Sequence, residues 1–540
     1  MSLYLGIDAG TQSIKAELID VESGRIVESC AVNFGAELPQ YGAPNGFCPH
    51  PDPTVRQADP LMWLDALDRV LEKLRDAGAP LDRVAGISGS GQQHGSVCLN
   101  AEFPRLLAAL DPARPLAGQL APALSRPLAP IWMDRSTHAE CEELDARFGE
   151  RLRLDTGSPA IERFTGPQLR KFAKEQPAAY AATASVHLVS SFLASVLAGK
   201  PSPIDYGDGA GMNLLNLKSL QWDAEIAEFT APGLAGKLPA AAPSDTVAGG
   251  LSPYFEKYGL RAGTPVAVFS GDNPNSLVGT GATEPGVAVI SLGTSDTFFA
   301  AMADFKTDPA GCGHVFGNPA GGFMSLICFA NGSLAREQVK EECGADWNFF
   351  DRTACETTLP GNHGKLMLPY FDPENTPRVL TPGVKYNFNP DDATPAERIR
   401  AVLESQALSM RLHSRWQQAN FKRIRVTGGA SKSPAFRQIL ADVFEAPIES
   451  IRVANSAALG AALRAANAVG GIPFPELYRK FCAATETVAP IPANARIYAG
   501  RLPVFRQFEA ASHRGGHTSL PRLSLPKAGA FSARRYRFIR

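Results

Sequence analysis

None of the nine cysteines (30, 48, 98, 141, 312, 328, 343, 355 and 482) stands in a C-x-x-C pair. An odd, scattered set of this kind speaks against a disulfide framework and a structural zinc site, and reads as reduced thiols. The first residues, Met-Ser-Leu-Tyr-Leu-Gly-Ile-Asp, carry no basic segment before Asp8, so a signal peptide is not expected. The longest apolar stretch, near Val189 to Ala198, is interrupted by Ser190, Ser191 and Ser195 and is far short of a membrane span. Charge of one sign is also missing. Lys+Arg number 53 against 54 Asp+Glu, a net -1, which lacks the basic excess of a nucleic-acid or anionic-membrane binder. Glycine (49) and proline (43) stay below the share that marks low-complexity chains. These absences predict a folded cytoplasmic protein with a small-molecule ligand, without nucleic-acid or membrane partners. Whether it is a monomer or a homodimer is left open.

What is present points to an α/β chain built twice. Leu3–Ile7, Ile14–Ile19 and Arg25–Val32 read as strands of an antiparallel meander. Ile7-Asp-Ala-Gly-Thr-Gln-Ser13 aligns with Ile290-Ser-Leu-Gly-Thr-Ser-Asp296, placing Gly10 on Gly293 and Thr11 on Thr294, about half a chain apart. Pro60 to Asp76 has a helical period, and Val84–Ser88 and Pro265–Ser270 read as strands. The expected boundary lies near 252–263, giving lobes 1–257 and 258–510. From Ala511 to Arg540 the chain carries seven Lys/Arg and no acid, and reads as a disordered basic tail; without it the balance is 46 against 54, net -8.

The 540 residues contain no G-x-x-x-x-G-K-[ST] loop. Gly89-Ser-Gly-Gln-Gln-His94 imitates a dinucleotide fingerprint, but His94 occupies the third glycine's place and argues against a Rossmann cofactor. Phosphate contact falls instead to the turns Gly10-Thr11-Gln12-Ser13 and Gly293-Thr294-Ser295, which offer backbone N–H groups and hydroxyls. Gly428 and Gly429, lacking Cβ, leave room for a base or ribose ahead of a helix expected to start with Ser433 as N-cap and Pro434 in its first turn. That helix aligns Phe436, Ile439, Leu440, Val443 and Phe444 on one stripe. At Phe269-Ser-Gly-Asp-Asn-Pro-Asn-Ser-Leu277 a strand stops and a helix is expected with Asn273 as N-cap and Pro274 at the first position. Asp272 then stands at a helix mouth, either as a capping carboxylate or as a general base accepting a hydroxyl proton during phosphoryl transfer.

In order, Asp8-x-Gly-Thr, Gly91-Gln-Gln-His-Gly95, Trp132-Met-Asp134, Ser270-Gly-Asp-Asn273, Ser291-Leu-Gly-Thr-Ser295 and Thr427-Gly-Gly-Ala430 resemble the motifs of the FGGY carbohydrate kinases. The resemblance spans about residues 3 to 505. Glu162-Arg-Phe-Thr-Gly166, Ser202-Pro-Ile-Asp-Tyr206, His314-Val-Phe-x-Asn-Pro319, Asn331-Gly-Ser-Leu334 and Asn455-Ser-Ala457 resemble an animal-type subgroup acting on D-xylulose. It implies two actin-like (ribonuclease H-like) ATPase lobes with a cleft between them, the first binding sugar and the second nucleotide, and ATP-dependent phosphorylation of D-xylulose. Another ketose or a polyol is the alternative substrate. A non-kinase actin-like ATPase is a further rival, which the small-hydroxyl motifs at Gly91–Gly95 and Gly271–Asn273 argue against. By the same resemblance Asp272 is the catalytic base, and Gln93, His94, Arg163 and Asn273 contact the sugar. ATP lies against Thr11, Gln12, Gly293, Thr294, Ser295, Gly428 and Gly429, with Lys432 and Trp347 beside it, and Asp8 supports Mg²⁺ through water. Gln93 departs from bacterial ketose kinases, which often have Met there, and the tail matches nothing in the family.

Overall fold

The computed structural model describes residues 2–513. The first sheet opens with Leu3–Ala9 (β1), Ser13–Asp20 (β2) and Arg25–Asn33 (β3), an antiparallel meander. Helix Pro60–Asp76 (α1), capped by Asp59 with Pro60 at its start, leads to Val84–Gly91 (β4), which lies parallel to β1. Val247–Gly250 (β5), Pro265–Ala267 (β6) and Ser270–Gly271 (β7) follow, and β6 and β7 both pair in parallel with β4. The strand order is β5-β6-β4-β1-β2-β3. Helix Asp272–Gly279 (α2) leaves directly from β7. The first sheet therefore continues past the expected boundary at 257/258, because the late strands add to it through long-range parallel pairing that local pattern does not show.

The second sheet repeats this plan. Val287–Leu292 (β8) and Asp296–Met302 (β9) form its hairpin, and Gly313–Gly317 (β10) and Phe323–Phe329 (β11) complete the antiparallel side. Helices Trp347–Glu356 (α3) and Pro395–His413 (α4) precede Arg423–Gly428 (β12), which is parallel to β8. Pro434–Phe444 (α5), Ile448–Ile451 (β13), Ser456–Ala468 (α6), Ala484–Val488 (β14) and Pro492–His513 (α7) complete the described residues. Its order is β10-β11-β9-β8-β12-β13-β14. In both sheets the first strand has the antiparallel second strand on one side and a later parallel strand, β4 or β12, on the other, so the repeat seen in the two Gly-Thr turns extends through the topology. The expected basic tail falls outside the described residues except for 511–513, which end α7.

Alternation sets the layers. Leu3, Leu5 and Ile7 face α1, whereas Tyr4 packs with Leu459, Ala462 and Leu463 of α6. A helix from the second half thus covers the first half's sheet. Gly6 permits it, since a Cβ there would lie 2.0 Å from the Ala458 carbonyl oxygen. Helices α2 and α6 cross at two glycines: a Cβ on Gly279 would sit 1.9 Å from the Ser456 carbonyl oxygen, and one on Gly460 1.9 Å from that of Asn275. Arg464 of α6 enters the first lobe, donating to Asn275 Oδ1 at 3.2 Å and to the carbonyls of Ser244 and Val268 at 2.8 and 2.9 Å. The run Val189–Ala198 forms a wholly buried helix, and among the described residues no helix is long and apolar enough to cross a membrane.

Candidate active site

Three strands of the first sheet end side by side. Asp8 of β1 pairs in register with Ser90 of β4, which pairs with Ser270 of β7. Beyond these ends lie the turn Gly10–Gln12, the segment Gln92–His94 and the start of α2 at Asp272. Register alone thus brings Asp8, Thr11, Gln12, Gln93, His94, Asp272 and Asn273 to one edge. Asn275 locks the arrangement by donating to the carbonyls of Gly89 (3.0 Å) and Gly271 (3.2 Å). Thr11 Oγ1 accepts from the Trp132 indole at 2.8 Å, which fixes the turn, and Gln12 is exposed.

Asp272 is the first residue of α2, with Gly271 in the cap position. The expectation that Asn273 caps the helix and Pro274 begins it is corrected: pairing of β7 with β4 delivers extended backbone up to Gly271, so the helix starts earlier than the Asn-Pro pair suggests. Asp272 Oδ1 accepts from the Asn273 backbone N–H at 2.8 Å and from Asn273 Nδ2 at 3.0 Å, and Nδ2 also donates to Gln93 Oε1 at 2.8 Å. Loss of water and the nearby charge of Asp8 raise the Asp272 carboxyl to about 7, against the hydrogen bonds from Asn273. Asp8 is buried, accepts from the Ser90 hydroxyl and is itself raised by desolvation. The charge of Asp8 thus helps to hold the Asp272 carboxyl near neutrality, the range in which a carboxyl can exchange a proton.

His94 has φ +70°, a left-handed backbone uncommon outside glycine. Three contacts hold it there: Thr165 Oγ1 donates to its carbonyl (2.9 Å), Nδ1 lies 2.8 Å from the Gly211 carbonyl oxygen, and the ring stacks on Phe164 at 4.2 Å. Burial and the Arg163 charge push its pKa down to about 3, so the ring is neutral. Because Gly211 O only accepts, Nδ1 carries the proton and Nε2 keeps its lone pair for a hydroxyl. Arg163 Nη2 donates to His314 Nε2 at 3.0 Å, and His314 Nδ1 lies 3.1 Å from the Ser158 hydroxyl. His314 belongs to β10, so this contact ties the loop carrying Arg163 to the second lobe. Glu162 and Arg378 make another tie at 2.8 Å. Cys328 of β11 lies near enough to Arg163 and Asp272 to feel both charges.

In the second lobe Leu292 pairs with Gly428, which sets the turn Gly293–Ser295 beside the turn Gly428–Lys432. Thr294, Ser295 and Lys432 are exposed. Gly428 has φ +86°, and a Cβ there would meet the Leu292 carbonyl oxygen at 2.3 Å, whereas the equivalent space at Gly429 is open. Asp296, immediately after the first turn, is buried and paired with Arg336 at 2.7 Å, bracing that turn. Ser433 caps α5 and Pro434 begins it as expected, and the predicted stripe is buried. Beside Pro434 opens a cavity of about 910 Å³ lined by Asp346, Phe349, Arg352 and Glu356, among others. Trp347 is not among its lining residues; its ring is 46% exposed and contacts Phe350 and Lys340.

Sequence reasoning leaves Asp134 undecided between structure and substrate. Its buried carboxylate accepts from Arg56 N, Ser136 and Gln168, so its hydrogen-bonding capacity is used in packing. Asp208 was missed. It is buried beside Gly271, and its only local signal is an aspartate between glycines, which reads as a turn.

Duplicated lobes with a glycine turn after each first strand, one of them beside the carboxyls of Asp8 and Asp272, define a phosphotransferase of the actin-like ATPase fold. The N-terminal domain of the FGGY family of carbohydrate kinases matches residues 123–279, and its C-terminal domain matches 288–469. Xylulose kinase of Rattus norvegicus is 39% identical over 94% of this chain and 96% of its own, and xylulose kinase 2 of Arabidopsis thaliana 38% over 86% and 87%. The solved xyloylose kinase of Brucella ovis superposes with a TM-score of 0.79 at 26% identity, covering 95% of this chain and 99% of its own. The chain belongs to the FGGY family of carbohydrate kinases.

Proposed function

We propose that the chain transfers the γ-phosphoryl group of ATP to the 5-hydroxyl of D-xylulose, giving D-xylulose 5-phosphate and ADP. The observation that carries this reading is Asp272: a carboxyl raised to about 7, oriented by Asn273 and facing the edge that holds Gln93 and His94. The relatives named xylulose kinase support the choice of sugar. As the substrate oxygen attacks phosphorus, its proton passes to the Asp272 carboxylate. The new O–P bond forms while the bond to the β-phosphate oxygen breaks, and ADP leaves with that electron pair. His94 Nε2 accepts a sugar hydroxyl, and Gln93, Asn273 and Arg163 provide the remaining polar contacts. The first lobe thereby binds the sugar and the second the nucleotide.

The turns at Thr11–Gln12 and Gly293–Ser295 supply N–H and hydroxyl groups to the phosphates, and Gly429, whose Cβ position is open, gives the nucleoside close access to backbone on a turn that Gly428 lets pack against Leu292, with Lys432 adjacent. Trp347 would flank the base from α3. Among the described residues no cluster of three or more His, Cys, Asp or Glu side chains forms a cage. One buried carboxylate, Asp8, fits a magnesium ion that keeps most of its waters and takes its other ligands from phosphate. Bound there, Mg²⁺ supplies neutralisation of phosphate charge. A panel of D-xylulose, other ketoses and polyols, read by ADP formation and by phosphorus NMR of the product, tests the assignment. Turnover confined to another sugar or to a polyol would overturn the choice of D-xylulose.

A further inference from the structure

Asp208 lies in the short helix Tyr206–Gly209 and is wholly buried. The Ser190 hydroxyl donates to its Oδ2 at 2.5 Å, and its backbone N–H donates to Asp205 Oδ1 at 2.8 Å. Its other oxygen, Oδ1, has no hydrogen bond of good geometry, and neither has the buried amide nitrogen of Gln93. The two orphaned atoms belong to the same place. A Cβ on Gly271 would lie 2.5 Å from Gln93 Cγ and 2.9 Å from Asp208 Oδ1, so the glycine leaves a gap across which amide and carboxyl meet. The carboxyl, out of water and beside the charges of Asp205 and Asp272, is held well above the usual carboxylate range, and the Gln93 amide acts against that rise.

The two ends of a glutamine amide have nearly the same shape and opposite hydrogen-bonding character. Gln93 Oε1 receives Asn273 Nδ2, and the same Nδ2 reaches Asp272 Oδ1. Turned over, the amide would set N–H against N–H and drive Asn273 away from Asp272. An acceptor at Asp208 Oδ1 makes the working orientation the favoured one, because only then do both ends of the amide find partners. We propose that Asp208 is a positioning residue that fixes the Gln93 amide and, through Gln93 and Asn273, the orientation of the Asp272 carboxylate. The inference rests on the reading of Asp272 as general base.

The test uses the full chain with D-xylulose and Mg-ATP. Asp208→Leu keeps the approximate volume and removes the acceptor; it is expected to lower kcat by about 10- to 100-fold with the KM for ATP unchanged. Asp208→Asn keeps a carbonyl for Gln93 and gives Ser190 an N–H donor, so it should recover at least tenfold of that loss. An Asp208→Asn variant as impaired as Asp208→Leu would overturn the proposal. Should Asp208→Leu fail to fold, Gln93→Glu serves in its place. It removes the amide N–H that faces Asp208 Oδ1 and should be strongly impaired, and adding Asp208→Asn, whose amide can donate to the introduced carboxylate, should restore turnover at least fivefold. Multiplicative losses in that double variant would overturn the proposal. Asp272→Asn assayed in parallel separates the two claims: retained turnover there refutes the general base, while lost turnover there with wild-type kcat in Asp208→Leu refutes the positioning role alone.

Discussion

Replacing Asp272 by asparagine should stabilise the protein above pH 7 while abolishing most of its activity. The native carboxyl titrates near 7 against an ordinary value of 3.8, so the native state holds this proton more tightly than the unfolded chain does. The sign follows from linkage: between about pH 4 and 7 the unfolded state has lost the proton and the native state keeps it. Wild-type stability falls over this window as pH rises, and above 7 the full cost of an ionised carboxyl beside Asp8 is carried. At about 1.4 kcal/mol per pH unit the ceiling is roughly 4 kcal/mol. Solvent at the partly exposed carboxyl and its coupling to Asp8 reduce this to an expected ~1–3 kcal/mol. Asparagine keeps the oxygen that accepts from Asn273, which isolates the charge. Urea unfolding of both proteins at pH 5, 6, 7 and 8 reads the effect. The variant's advantage should grow from pH 5 to 7 and then level off. A difference independent of pH would show an unraised carboxyl, a wild type more stable at pH 8 would show a site that favours the carboxylate, and either would refute the reasoning.

Asp8→Asn removes the charge that helps to raise Asp272, so the acidic limb of its pH–rate profile should move below the wild-type midpoint near 7 whatever the loss in kcat; an unmoved limb would separate the two carboxyls. Gly460→Ala puts a methyl group 1.9 Å from the Asn275 carbonyl oxygen and should force α2 and α6 apart, costing about 1–3 kcal/mol in urea unfolding and lowering kcat by displacing Asp272. Sugar plus a nonhydrolysable ATP analogue should close the lobes and shrink the radius of gyration in solution scattering, each ligand tightening the other; identical curves with independent binding would mean a rigid cleft.

Local pattern made parts of this molecule legible and hid others. β1 and the two Gly-Thr turns stood out because a buried strand and a tight turn are short-range features, and their repetition half a chain later exposed the duplication. α5 was equally plain, since Ser433, Pro434 and the apolar stripe each act within a few residues. The lobe boundary was not. Pro265–Gly271 resembles the opening of a new unit, and only its pairing with β4, nearly two hundred residues earlier, places it in the first sheet. The same pairing moved the start of α2 from Pro274 to Asp272 and its cap from Asn273 to Gly271. Asp208 was invisible for a related reason: Ser190, Gln93 and Gly271, the residues that give it meaning, come from three separate segments.

The central claim is that this chain phosphorylates D-xylulose with Asp272 as the base. Steady-state turnover of D-xylulose and Mg-ATP by the wild type and by Asp272→Asn, with binding of both substrates measured by calorimetry, tests it most directly. The account predicts robust ADP formation dependent on D-xylulose in the wild type, and a variant that is folded, binds both substrates and turns over about 10²- to 10⁴-fold more slowly. Near-normal turnover in that variant, or ADP formation by the wild type that does not depend on D-xylulose, would contradict it.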